Sequence, residues 1–94
     1  MSNEALLVVG LGNPGPKYER TRHNIGFEAA QELTRRHGGK FASHKRTNAD
    51  VAEINISGRK VIVAKPRTFM NLSGGVVKAL ANYFKISPAN IVVI

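Results

Sequence analysis

Leu6-Leu-Val-Val-Gly-Leu-Gly-Asn-Pro-Gly15 decides how this chain folds. Leu6 to Val9 is a continuous apolar run and reads as a short buried strand. Glycine and proline then follow too densely for regular structure, so Gly10 to Pro16 reads as a loop. That loop carries one amide, Asn13. Thr21-Arg-His-Asn24 comes next and sets His23 just before a helical pattern. A third polar segment, Thr68-Phe-Met-Asn-Leu-Ser-Gly-Gly75, follows a second apolar strand-like run. Polar segments that each follow a buried strand are what a site at the carboxyl end of an α/β sheet requires.

Working outward, Asn24 to about His37 predicts a helix. Phe27, Ala30 and Leu33 share one face with Ala29 beside them, while Glu28, Glu32, Arg35 and Arg36 face out. Acids lie early and bases late, which suits the helix dipole. Gly38 fits the position just past the helix end. Val51 to Ile56 alternates, with Ala52, Ile54 and Ile56 on one side. Ser57-Gly58 is a turn, and Arg59 to Ala64 returns, so the pair predicts an antiparallel hairpin. Ser73 is the expected cap of a second helix through Val76, Val77, Leu80, Ala81 and Phe84. Ser87-Pro88-Ala-Asn90 is a turn before a last strand, Ile91 to Ile94. That strand reads as an interior one cut at its carboxyl end. The expected fold class is therefore α/β, with residues 1–94 forming part of a larger domain.

Composition narrows the chemistry. The chain has no cysteine, which excludes disulfides, thiolate nucleophiles and cysteine-based zinc sites. No His/Asp/Glu cluster has metal-ligand spacing, and no metal is expected. His37 and His44 lie in polar, basic stretches and read as solvated. No apolar run approaches the roughly 20 residues of a membrane span. The polar, acidic start is unlike a secretory signal, so a soluble cytoplasmic protein is expected. Fourteen Lys/Arg against six Asp/Glu give a net charge of +8. Charge of that sign attracts polyanions, and the bases cluster at 17–22, 35–36, 40–46 and 65–67.

Gly10-x-Gly12-x-x-Gly15 formally matches a dinucleotide fingerprint. That motif requires a helix to open within the glycines, whereas Pro14 and Pro16 bracket Gly15 here and no apolar helical face begins before Ile25. A tight turn with close backbone approach is the stronger reading. His23 is a candidate general base. The amides Asn13 and Asn71 can orient a water or donate to a developing oxyanion. Arg20 and Arg22 depress the basicity of a histidine unless an acid compensates; Glu19 is the one acid nearby in sequence, and a carboxylate beyond residue 94 is the expected partner. Tyr18 and Phe69 stack on bases or ribose if exposed and pack if buried; the sequence leaves both open, as it does for Met70.

Taken together, Val9-Gly-Leu-Gly-Asn-Pro-Gly15, Tyr18, Thr21-Arg-His-Asn-x-Gly26 and Lys65-Pro-x-Thr-Phe-Met-Asn-x-Ser-Gly74 closely resemble bacterial-type peptidyl-tRNA hydrolases. The resemblance implies a mixed central sheet with flanking helices and cleavage of the ester between peptide and tRNA, without metal or cofactor. It implies that His23 activates water as general base, that Asn13 contacts the peptide near the ester, and that Asn71 hydrogen-bonds substrate. Tyr18, Phe69 and Met70 would line the cleft for the acceptor end and peptide, and basic residues would meet tRNA phosphates. The resembling family runs to about twice this length. It places an aspartate that orients the histidine, and a further asparagine, after the strand matching Ile91–Ile94. The chain would thus be the N-terminal half of one such domain, monomeric when intact. The competing readings are a non-catalytic basic RNA-binding fragment and a nucleotide-dependent oxidoreductase.

Overall fold

Leu6–Val9 forms strand β1, and its neighbours explain why it is apolar without alternation. The computed structural model describes residues 4–13, 24–68 and 72–94. Within them, β1 is followed by helix α1 (Ile25–Arg36), strands β2 (Ala42–His44), β3 (Ala49–Ile56) and β4 (Arg59–Pro66), helix α2 (Ser73–Phe84) and strand β5 (Ile91–Val93). The five strands form one sheet in the order β2-β3-β4-β1-β5. β1 runs parallel to both β4 and β5, whereas β2, β3 and β4 are joined antiparallel. The sheet is therefore mixed, as expected.

A strand buried on both faces needs apolar residues at every position. Leu7 and Val9 point into a core with Ile62, Ala64, Val76, Leu80 and Ile86, beneath α2. Val8 points the other way, toward Ala30, Ile54, Val61 and Val63, beneath α1. The two helices thus cover opposite faces. In α1 the buried positions are Gly26, Ala30 and Thr34, while Ala29 is exposed. The predicted face is thus kept, with Ala30 buried and Phe27 and Leu33 half-buried on the same side; only Ala29 turns out to solvent. Glu32 binds both Arg35 (2.6 Å) and Arg36 (2.9 Å) on the outer side. α1 ends as predicted: Gly38 takes φ 71° and its N–H donates to the Arg35 carbonyl.

Three details differ from the sequence reading. β2 was not foreseen, since Ala-Ser-His lacks strand patterning, and its pairing with β3 alone makes it a strand. Ser73 is the first residue of α2 and is buried; Leu72 occupies the cap position without a side-chain cap bond. His44 is half-buried rather than solvated, its Nδ1 2.7 Å from the Thr47 hydroxyl and its ring 4.6 Å from that of Tyr83. β5 is an edge strand among the described residues, with Val92, Val93 and Ile94 exposed.

Close approach of α1 to the sheet depends on glycine. A Cβ at Gly26 would collide with the carbonyl oxygens of Ile94 and Leu11, whereas one at Gly74 or Gly75 would meet nothing among the described residues. Helix propensity favours alanine over glycine by about 1 kcal/mol at an unconstrained site. Gly74→Ala and Gly75→Ala are therefore expected to raise stability, by a few tenths to about 1 kcal/mol. Gly26→Ala should lower it by about 1–3 kcal/mol despite the same propensity gain. Urea unfolding of the three variants checks the opposite signs.

Candidate active site

The site is set by where the parallel strands end. Val9, Ala64 and Val93 lie level in register, so the carboxyl ends of β1, β4 and β5 open on one side of the sheet. β1 leads into α1 on one face, and β4 leads into α2 on the other. Adjacent parallel strands whose connections part to opposite faces leave a crevice beyond their carboxyl ends, the usual place for a ligand in an open α/β sheet.

The backbone continues its pairing past β1. Gly10 N–H donates to the Ala64 carbonyl at 2.9 Å, Leu11 N–H to Ile94 at 2.8 Å, and Phe27 N–H to Leu11 at 3.1 Å. These bonds tie the exit of β1 to both neighbouring strands and to the first turn of α1. Asn24 completes the tie. Its side chain caps nothing; its buried Oδ1 accepts the backbone N–H of Asn13 at 2.9 Å. Asn24 was missed as a positioning residue, because its sequence position suits an ordinary helix start equally well.

Gly10 and Gly12 serve packing. A Cβ at Gly10 would lie 2.7 Å from Cβ of Ala30, and one at Gly12 would lie 2.6 Å from the ring of Phe27. α1 opens at Ile25, not among the glycines. The space a pyrophosphate would need beside these glycines is filled by α1, so the dinucleotide reading loses its basis.

At the end of β4, Lys65 Nζ sits 4.2 Å from the centre of the Phe41 ring. Asp50, opposite Lys65 across the β3–β4 pair, is bound by Arg67 at 3.0 Å. Burial pushes the Lys65 ammonium below its ordinary value, with Asp50 partly opposing the shift. The hydroxyl oxygen of Thr68 is buried without a hydrogen-bond partner among the described residues. Of the residues singled out from sequence, Asn13 lies at this end of the sheet. His23, Tyr18, Phe69, Met70 and Asn71 lie outside the described residues. In sequence, His23 directly precedes Asn24 and Asn71 directly precedes Leu72.

A peptidyl-tRNA hydrolase family model matches residues 7–94. The chain belongs to the peptidyl-tRNA hydrolase family. It is 61% identical to peptidyl-tRNA hydrolase 1 of Corynebacterium glutamicum, over all of this chain and 51% of that protein. It is 56% identical to the peptidyl-tRNA hydrolase of Rhodococcus opacus, over all of this chain and 50% of that protein. The crystal structure of peptidyl-tRNA hydrolase from Acinetobacter baumannii superposes with a TM-score of 0.90 at 36% identity, covering 99% of this chain and 47% of that one. The chain therefore spans about half the length of the hydrolases it matches, and the mixed α/β sheet is the family's fold. Among the described residues no helix is long and apolar enough to cross a membrane.

Two outcomes follow for this family member. Asn24→Ala leaves the Asn13 amide without its acceptor, a loss of about 1–3 kcal/mol if that group stays buried. The Asn13 amide should lose protection in hydrogen exchange while the β1 amides keep theirs; unchanged protection would mean the Asn24 side chain does not hold the loop. For Lys65, the folded state releases its proton at lower pH than the unfolded chain. The charged form therefore costs stability at neutral pH, and that cost disappears as pH rises toward the ordinary value of 10.5. Wild type should gain stability relative to Lys65→Met as pH rises toward 10.5, as read by urea midpoints.

Proposed function

We propose that the full-length protein hydrolyses the ester joining peptide to tRNA in peptidyl-tRNA, with His23 as general base, returning tRNA to use. The observation that carries this reading is topological. In sequence, Asn13 and His23 follow β1, and Asn71 follows β4, the adjacent parallel strand. The reading takes these two segments, distant in sequence, to meet at one crevice.

The chemistry is that of a base-activated water. The His23 imidazole takes a proton from water as the oxygen attacks the ester carbonyl. The amide of Asn71 donates to the charge that develops on the carbonyl oxygen, and Asn13 holds the peptide beside it. Collapse of the tetrahedral species breaks the bond to the ribose oxygen, which takes the proton back from the imidazolium. The products are a peptide carboxylate and a tRNA with a free ribose hydroxyl. Tyr18, Phe69 and Met70 line the cleft for the acceptor end and peptide, and the +8 charge attracts the tRNA. This reading takes the enzyme to be a cytoplasmic monomer that needs no metal or cofactor. Residues 1–94 are then the N-terminal half of one α/β domain, a reading supported by the half-length match.

The test is His23→Ala in the full-length protein. Loss of general-base catalysis removes about 10²–10⁴ in rate. Affinity for tRNA should be largely retained, because it comes from phosphates and stacking. Near-normal turnover would assign activation of the water to another group.

A further inference from the structure

The bases of this chain are not evenly neutralised. Only two acids, Asp50 and Glu53, occur between Leu33 and Ile94. Asp50 is taken by Arg67 and Glu53 by Lys60. The other ion pairs among the described residues are those of Arg35 and Arg36 with Glu32. Lys45 and Arg46, on the 3₁₀ turn Lys45–Thr47 after β2, and Lys85, just past α2, are exposed and enter none of these pairs.

Arg46 borders an ordered aromatic surface, and Lys45 and Lys85 directly follow two of its members, His44 and Phe84, in sequence. Tyr83 is 46% exposed although it is a large ring on a packed helix. Its ring is fixed edge-on by His44 at 4.6 Å and by Phe84 at 4.9 Å. The Arg46 guanidinium lies 5.8 Å from its centre. His44 is held in turn through Nδ1 by the Thr47 hydroxyl. The ring is thus oriented before any partner arrives. Protection of the β2 edge would call for charge on the strand itself, but Ala42 and Ser43 are uncharged and the bases sit on the turn beyond it.

The location agrees with a role in binding. His44 pairs with Ala49, and Ala49 with Pro66, so the patch stands at the carboxyl end of β4, the same end as Asn13. It is three strands from β1, roughly 14 Å along the sheet. We propose that Lys45, Arg46, Tyr83 and Lys85 form a second contact surface for the RNA part of the substrate, gripping phosphates while the reacting end lies at β1. Unpaired cations beside an exposed, fixed ring suit a ribose–phosphate chain, where charge supplies affinity and the ring stacks on a base or sugar. The proposal rests on the reading of the protein as a peptidyl-tRNA hydrolase for the identity of the RNA, but not for the presence of the surface.

The experiment uses the full-length protein and deacylated tRNA, with affinity measured against salt concentration. Lys45→Gln/Arg46→Gln should flatten the log–log salt slope by about 1.8 if both cations meet phosphates. The same double variant should bind about tenfold or more weakly at low salt. Tyr83→Leu should lose about fivefold or more, with little change in slope. In hydrolysis, the losses should fall on KM. Arg35→Gln/Arg36→Gln, which removes two bases already paired to Glu32, is the control and should leave affinity near wild type. Circular dichroism checks that each variant is folded. Wild-type affinity and slope in the Lys45/Arg46 variant would overturn the proposal and leave the patch to a protein partner or to none. An equal loss in the control would also overturn it, by reducing the effect to net charge. Loss of tRNA binding at the patch in a protein that hydrolyses nothing would uphold the surface and sink the proposed reaction instead.

Discussion

Everything at the candidate site depends on how β1 is gripped at its exit. A parallel strand held on both sides must hand its chain to a helix above the sheet, and here the hand-over is hydrogen-bonded at each step. Gly10 is bonded to the end of β4, Leu11 to the end of β5, and Phe27 of α1 back to Leu11. Those contacts are possible only because Gly26 presents no side chain to the carbonyls of Ile94 and Leu11. The first turn of α1 therefore rests against the chain just past β1 and β5. Asn13, held through its amide by Asn24, is fixed by the same lattice.

The opposite end of the sheet is closed by a different kind of contact. Arg59 donates to the Glu4 carbonyl at 3.0 Å and to Asn90 Oδ1 at 3.3 Å, and Asn90 donates to the Glu4 carboxylate at 2.6 Å. These bonds join the starts of β1, β4 and β5 and engage their polar groups with one another. The two ends thus differ. One joins the three strand starts through side chains of Glu4, Arg59 and Asn90, and the other is tied chiefly by backbone bonds at Gly10 and Leu11. That asymmetry agrees with chemistry placed at the carboxyl ends.

Much of this was legible in the sequence for a physical reason: strong patterns survive folding. The unbroken apolar run of β1, the alternation of β3, the Ser57-Gly58 turn and the glycine after α1 each have one economical structural solution, and each is found. What could not be read depends on partners distant in the chain. Ala42–His44 is a strand only because β3 lies beside it. His44 looked like a solvated residue because nothing local reveals that Tyr83 and Phe84 pack on it. Ser73 has the chemistry of a cap but lies one residue inside the helix. At the site, the sequence pointed to the loop after β1, and Asn13 lies just past the carboxyl end of that strand. It did not reveal that Asn24 serves that loop rather than its own helix, since a helix-start asparagine looks the same in either role.

The central claim is that the loops after β1 and β4 bring Asn13, His23 and Asn71 to one ligand. The most direct measurement is an NMR titration of the full-length protein with a non-hydrolysable, amide-linked mimic of the peptidyl-adenosine end. The side-chain amides of Asn13 and Asn71 and the ring nitrogens of His23 should shift together, with one common affinity, while Arg59 and Asn90 at the other end of the sheet stay unmoved. Shifts centred on Arg59 and Asn90, or a His23 that does not respond while the asparagines do, would contradict the account.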